Sequence, residues 1–255
     1  MKAINALRLS KSGLLLVAML VAALLALATP QAAPAAIGPD TFGYTADTID
    51  FKFKDISTKG TVVLDNLDDA AVSVPIGFTF SFYGTPQTAV FVSTNGVLTF
   101  GAGNTFFSNE NLTGPVTADL PTIAPLWDDW VTFESADDRV LVRTVGESGE
   151  RKFIAQWHVI EHFASSPSTV TFQAVLYEGS NAIEYRYLDT DSGDINAFGA
   201  SATVGIRDTG GHTNGRNVQW SFNQAVIGNG TAIRFCTAEE NEDDDDECTD
   251  DEDDD

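Results

Sequence analysis

The segment from Phe91 to Phe100 limits the fold of this chain strongly, because it has the pattern of two short β-strands joined by a tight turn. Apolar and polar residues alternate on both sides of Asn95-Gly96. Asn-Gly is a preferred dipeptide of the type I′ turn, in which both central residues need a positive φ. The sequence therefore predicts an antiparallel hairpin with Asn95-Gly96 at its tip.

Similar short runs rich in Val, Ile, Phe, Thr and Tyr fill residues 42–235, and turn-forming residues separate most of them. Phe172, Ala174 and Leu176 alternate with their neighbours, as in a strand with one face in a core and the other toward water or a second layer. No long segment after residue 28 has a helical period. We therefore predict an all-β fold, an antiparallel β-sandwich of about a dozen strands.

Residues 1–28 have the features of a secretory signal peptide. Basic residues precede an apolar run from Leu14 to Leu27, which is shorter than the roughly 20 residues of a membrane span. A small-residue cleavage motif ends at Ala28. An uncleaved signal anchor is the alternative. We expect a secreted protein, extracellular or periplasmic, with no membrane insertion.

Both flanks of the predicted domain have biased compositions. Residues 29–41 form a linker rich in Pro and Ala, and residues 236–255 form an acidic, low-complexity tail. Residues 239–255 hold 14 of the 37 acidic residues, so like-charge repulsion should keep the tail disordered. The net charge of −23 argues against nucleic acid or an anionic membrane surface as a partner.

The chain has two cysteines, Cys236 and Cys248, at the C-terminal edge of the predicted domain. In an oxidising compartment they could form one disulfide that closes a short acidic loop. Two separate thiols, or pairing between chains, are the alternatives. We expect this disulfide to join parts of the tail, outside the core.

Four sequence blocks occur in a fixed order along the predicted domain: Phe82–Thr85, Phe91–Phe100, Leu120–Trp127 and Thr171–Leu176. Together they resemble the nidogen-like (NIDO) extracellular domain, of the secreted bacterial type. The resemblance covers roughly residues 42–235 and implies a β-rich, non-enzymatic extracellular module linked to adhesion or matrix contact. Its partner would be an extracellular protein or glycan surface.

Two motifs suggest enzyme chemistry, but their spacing argues against it. His158 and His162 spell H-x-x-E-H, which forms a zinc site on a helix. On a strand they share a face about 13 Å apart, so we predict that they do not share a metal. Asp128 and Asp129 are adjacent and point to opposite faces of an extended chain, which suits a turn better than a catalytic pair.

The loop around Asp189, Asp191 and Asp194 partly resembles a calcium loop, although it lacks the downstream bidentate Glu. Calcium is therefore a possible ligand of these three carboxylates, and the tail could also collect it diffusely. An ordinary Asp/Gly turn is the alternative. No other cofactor is expected.

The sequence favours a secreted, non-enzymatic module that recognises a surface through its loops. It contains no G-x-S-x-G turn, no phosphate-binding loop and no Cys-His nucleophile setting. Two alternatives stay open at this point: a secreted hydrolase of polysaccharide or protein, and a calcium-dependent structural surface protein.

Overall fold

A computed structural model describes residues 37–163, 169–190 and 194–237 of the chain. These residues form fourteen strands in two antiparallel sheets, which confirms the predicted all-β class. The predicted signal peptide, most of the linker and the acidic tail after Thr237 lie outside the described residues. The strands are β1 (Tyr44–Ile49), β2 (Thr61–Asp65), β3 (Ala71–Phe82), β4 (Thr85–Ser93), β5 (Leu98–Thr99), β6 (Thr122–Trp127), β7 (Trp130–Val131), β8 (Arg139–Val145), β9 (Lys152–His162), β10 (Thr169–Tyr177), β11 (Ile183–Asp189), β12 (Thr203–Arg207), β13 (Asn217–Phe222) and β14 (Thr231–Thr237).

The larger sheet has the strand order β1-β14-β11-β10-β9-β8-β2, and β7 pairs with the end of β9. The smaller sheet has the order β13-β12-β6-β5-β4-β3. Residues from both sheets share one buried cluster, in which the Trp157 ring stacks on Phe172 with ring centroids 4.9 Å apart. This shared core makes the fold a β-sandwich.

The outer face of the larger sheet is itself covered. Residues 50–60 connect β1 to β2 across it, and Ile56 packs there against Ile154 and Val175. Ile56 N donates to Gln156 Oε1 at 3.0 Å, which ties this segment to β9. Almost every residue of β10 is therefore buried, whereas the edge strand β3 alternates between buried and exposed residues. The sequence predicted that the second face of β10 contacts either water or a second layer. Residues 50–60 are that second layer, and we name them the strap.

The predicted hairpin between β4 and β5 is confirmed, but its turn type is wrong. Ser93 N donates to Val97 O at 3.0 Å, so three residues form the loop. Gly96 has φ +67, whereas Asn95 does not have a positive φ. This geometry matches a three-residue loop with glycine at the left-handed position, and the type I′ prediction fails because Asn95 is held by tertiary contacts.

One smaller difference concerns the C-terminal end of the fold. Strand β14 runs to Thr237, and Cys236 within it is only 7% exposed, so this cysteine belongs to the sheet and not to the tail. Two short helical turns complete the described structure, at Ile195–Phe198 and Gly211–Asn214. No helix in the described ranges has the length and apolarity to cross a membrane.

Candidate functional site

Loops from both sheets meet at one end of the sandwich, and buried Asn95 holds them together. Its Nδ2 donates to Asp69 Oδ1 at 2.8 Å, in the loop between β2 and β3. Its Oδ1 accepts from Trp130 N at 3.2 Å, and its backbone oxygen accepts from Asp128 N at 3.2 Å. The hairpin tip therefore fixes the positions of two other loops.

Gly96 allows this close approach. A Cβ at Gly96 would lie 2.0 Å from the backbone oxygen of Leu126, and its φ of +67 already disfavours other residues. No L side chain can occupy that space without moving backbone. The glycine thus lets the β4–β5 turn lie directly against β6.

Three carboxylates converge beside this turn, and we name Asp68, Asp69 and Asp129 the acidic cluster. One oxygen of each lies within 4.8 Å of the others. Asp68 and Asp69 are exposed, and Asp129 is half-buried. Among the described residues, this is the group placed to hold a metal ion. Hard cations such as calcium prefer such oxygen ligands and complete their shell with water.

Mutual repulsion marks the acidic cluster. Burial, together with the charge of Asp68, raises the pKa of Asp129 to about 6, although nearby His162 partly opposes this shift. Burial and the charge of Asp69 also raise the pKa of Asp68. Asp68 and Asp129 are therefore harder to ionise than usual, and a bound cation would relieve that cost.

Next to the acidic cluster, Asp128 joins His162 and Ser201. His162 Nε2 lies 3.3 Å from Asp128 Oδ1, and Ser201 Oγ donates to Asp128 Oδ2. Burial lowers the pKa of His162, but its contact with Asp128 and the surrounding acids outweigh this and raise it. The carboxylate is central here, whereas the histidine is central in a serine hydrolase triad. The arrangement joins three chain segments and differs from a nucleophile-activating one.

The predicted calcium residues are divided by the structure. Asp189 is exposed at the end of β11, and Asp191 lies outside the described residues. Asp194 Oδ1 accepts from Asn196 N at 3.1 Å and caps the turn at Ile195–Phe198, and its charge helps to raise the pKa of His162. Calcium binding by this trio stays a prediction. The acidic cluster is a different group, and its only sequence signal is the pair of dipeptides Asp68-Asp69 and Asp128-Asp129.

The two histidines of the H-x-x-E-H motif lie on β9, as predicted, but not on the same face. A β-bulge at Val159, with φ +53, places two residues of β9 opposite Thr171 of β10. His158 Nδ1 lies 3.4 Å from Gln156 Nε2 on the outer face, while His162 packs edge-on against core Trp130. The shared-face prediction is therefore wrong because the bulge changes the alternation. The absence of a shared metal stays a prediction.

The disulfide prediction also stays open. Cys236 lies on β14, and Cys248 is outside the described residues. Because Cys236 is buried in the sheet, a bond to Cys248 would attach the tail to the sandwich itself and not only close a loop within the tail.

Exposed apolar side chains lie on the loops that hold the acidic cluster and on loops joined to them. Leu67 O accepts from Thr132 N, Phe106 O accepts from Trp127 Nε1, and Phe163 N donates to Asp129 O. Nine large apolar side chains of the described residues are exposed, and six belong to loops at this end. These six, which we name the apolar rim, are Leu67, Phe106, Phe107, Phe133, Phe163 and Ile195.

Comparison with known proteins agrees with this architecture. A family profile described as NIDO related matches residues 43–242, which include all strands of both sheets. Searches of curated proteins and of solved structures return no significant match. The matched range is most of the chain and includes the hairpin, the acidic cluster and the strap. The chain therefore belongs to the NIDO-related family.

Proposed function

We propose that this chain is a secreted, non-enzymatic adhesion or extracellular-matrix-type module. Its recognition surface is the apolar rim with the acidic cluster at its centre, and its partner is an extracellular protein or glycan surface. The observation that carries this proposal is the concentration of exposed apolar side chains on loops that buried Asn95 holds in place.

Exposed aromatic side chains on fixed loops suit recognition for a physical reason. Large contiguous apolar patches are rare on monomer surfaces, and they mark binding sites more often than chance. Phe106, Phe107, Phe133 and Phe163 can each bury a large ring with little loss of side-chain freedom. The central carboxylates add a preference for basic partner groups or for a bridging cation.

The family and the sequence support the extracellular location. Nidogen-like domains are extracellular modules, and the N-terminal residues have the composition of a signal peptide. Detection of the chain in the culture medium, cleaved after Ala28, tests this part of the proposal. Retention of the intact N-terminus in cell membranes would contradict it.

Binding to arrays of extracellular-matrix proteins and polysaccharides tests the recognition surface. Replacing Phe133 and Phe163 by Ser should weaken the strongest signal at least tenfold. The matched control is Val62→Ser, because Val62 is 43% exposed on β2 and is not part of the apolar rim. An equal loss in the control would contradict the proposal, and product release from an array component would favour the hydrolase alternative.

The acidic cluster favours a second candidate, a calcium-dependent surface protein. A cation bound only by the folded state raises its stability by RT ln(1 + [L]/Kd), which grows with the cation concentration. Melting the chain with and without millimolar calcium tests this candidate, because extracellular modules commonly bind calcium at about 0.1–1 mM. If the melting temperature does not depend on calcium and array binding is intact, the calcium-dependent candidate is excluded and only the first candidate remains.

A further inference from the structure

A charged cavity lies on the outer face of the larger sheet, next to the strap. Its volume is about 190 Å³, and Ile154 and Val175 form part of its apolar wall. Apolar surroundings lower the local dielectric, so charges that line such a cavity interact more strongly than they would in water. We name it the outer-face cavity.

The lining of this cavity has the opposite sign to the rest of the chain. The whole chain has 37 acidic residues against 14 Lys and Arg, yet five lining side chains are cationic and only two are acidic. The acidic ones are Asp50 and Glu184. The cationic ones are Lys52, Lys54, Lys152, Arg186 and Arg234.

In this cavity the buried carboxylate of Glu184 forms ion pairs with two buried guanidinium groups, those of Arg186 and Arg234. Arg186 binds Glu184 Oε2 through Nε at 2.8 Å and Nη2 at 2.6 Å, whereas Arg234 Nη1 lies 3.7 Å from Glu184 Oε1. Arg186 and Arg234 are only 8% and 7% exposed. Within the described part of the chain, Arg234 Nε is buried and has no hydrogen-bond acceptor. The two guanidinium groups share one carboxylate, and the lining as a whole has five cationic side chains against two acidic ones, so the cavity suits an anionic ligand.

We propose that the outer-face cavity binds a small carboxylate-bearing molecule, about the size of one acidic monosaccharide. Arg234 is its main partner, since the planar guanidinium matches a carboxylate, as Arg186 shows with Glu184. The exposed Lys52 and Lys54 attract the anion from solvent. The cavity is smaller than the roughly 300–1,000 Å³ of sites for drug-sized ligands, which limits the size of the molecule.

This site is separate from the recognition surface. Lys152 at the first position of β9 lines the outer-face cavity, whereas His162 at its last position lies beside the acidic cluster. Eleven residues of extended chain span about 30 Å, so a ligand at one site does not contact the other. Loss of array binding and loss of carboxylate binding can therefore be measured independently.

Carboxylates could reach the cavity from two sources, a free molecule or the acidic residues 239–255 of the same chain. We assign the cavity to the free molecule for two reasons. A cavity of this volume accommodates one small group. Residues 239–255 are almost all acidic and offer no large apolar side chain to contact Ile154 and Val175. Removal of residues 238–255 distinguishes the two sources.

Isothermal titration of the full chain with sodium glucuronate, at low and at physiological salt, tests the proposal. We expect saturable one-to-one binding that weakens with salt, and no binding of glucose. Arg234→Gln should weaken glucuronate binding at least tenfold. The matched control is Arg216→Gln, because Arg216 pairs with Asp208 and does not line the cavity. It should change the affinity less than twofold.

A second variant keeps the test decisive if Arg234→Gln does not fold. Lys52→Gln with Lys54→Gln changes two exposed side chains, and it should weaken binding several-fold and reduce its salt dependence. Absence of saturable glucuronate binding, equal binding of glucose, or an equal loss in Arg216→Gln would overturn the proposal. Equally tight binding of inorganic sulfate would overturn the sugar-acid assignment. Binding that occurs only after removal of residues 238–255 would overturn the free-molecule assignment and identify the tail as the occupant.

Discussion

The acidic cluster and the outer-face cavity show two ways in which one chain accommodates like charges. In the acidic cluster, carboxylates repel one another on exposed loops, where water and salt screen much of the cost. In the outer-face cavity, two guanidinium groups are buried in a sheet and depend on the single carboxylate of Glu184. The loop end is held by the hydrogen bonds of Asn95 and by the close backbone approach at Gly96, whereas the cavity is held by charge pairing.

The largest expected effect comes from a substitution that disrupts the close backbone contact between Gly96 and Leu126 at the loop end. Gly96→Ala places a Cβ 2.0 Å from Leu126 O, so the chain should lose about 4 kcal/mol of stability or fail to accumulate as folded protein. Urea unfolding monitored by tryptophan fluorescence measures it. The matched control is Gly230→Ala, which has a similar φ of +66 but nothing within 4 Å, and should cost about 1–2 kcal/mol. Equal costs would mean that β6 yields to the extra methyl group.

The next effect removes the charge pairing of the outer-face cavity. Glu184→Gln leaves Arg186 and Arg234 without their shared carboxylate, so the free energy of unfolding should fall by about 3 kcal/mol. Added glucuronate should restore part of the melting temperature. The comparison variant is Glu178→Gln, whose carboxylate pairs with Arg151 near the surface, and its loss of stability should be much smaller. A similar loss in both variants would contradict the role of burial.

A smaller effect of opposite sign tests the acidic cluster. Asp129→Asn removes one of three repelling carboxylates, so without calcium it should raise stability by about 1 kcal/mol, or about 2–4 °C in melting temperature. Differential scanning calorimetry checks this, with exposed Glu147→Gln as the charge-matched control. If calcium binds at the acidic cluster, its stabilisation of the natural chain should disappear in Asp129→Asn. Undiminished stabilisation would place the ion elsewhere, for example at Asp189 and Asp191.

The smallest expected effect concerns the tail. Removal of residues 238–255 leaves every strand of both sheets complete, so the melting temperature should change by no more than a few degrees. The same deletion removes Cys248, the predicted partner of Cys236 on β14. If the deletion variant melts well below the oxidised intact chain but at the same temperature as the reduced intact chain, a disulfide to the tail stabilises the sandwich.

Local patterns made the fold class and the hairpin predictable. The alternation in β10 and the turn residues around it depend only on neighbours along the chain. In the structure this segment is a strand, paired with β9 and β11. The type I′ turn and the shared face of His158 and His162 failed for a different reason. The conformation of Asn95 depends on its hydrogen bonds to Asp69 and Trp130, which are distant in sequence. The bulge at Val159 depends on pairing with Thr171 of β10.

The β class could be predicted from alternation over a few residues, the excess of acidic residues from composition, and the family resemblance from four sequence blocks in a fixed order. The places where charges meet could not be predicted in this way, because they depend on the tertiary structure. Asp68 and Asp69 reach Asp129 because buried Asn95 joins their loops, and Arg186 and Arg234 share Glu184 because β11 and β14 pair side by side. Coulomb interactions depend on distance in space, and residues far apart along the chain have no fixed distance until the strands are paired.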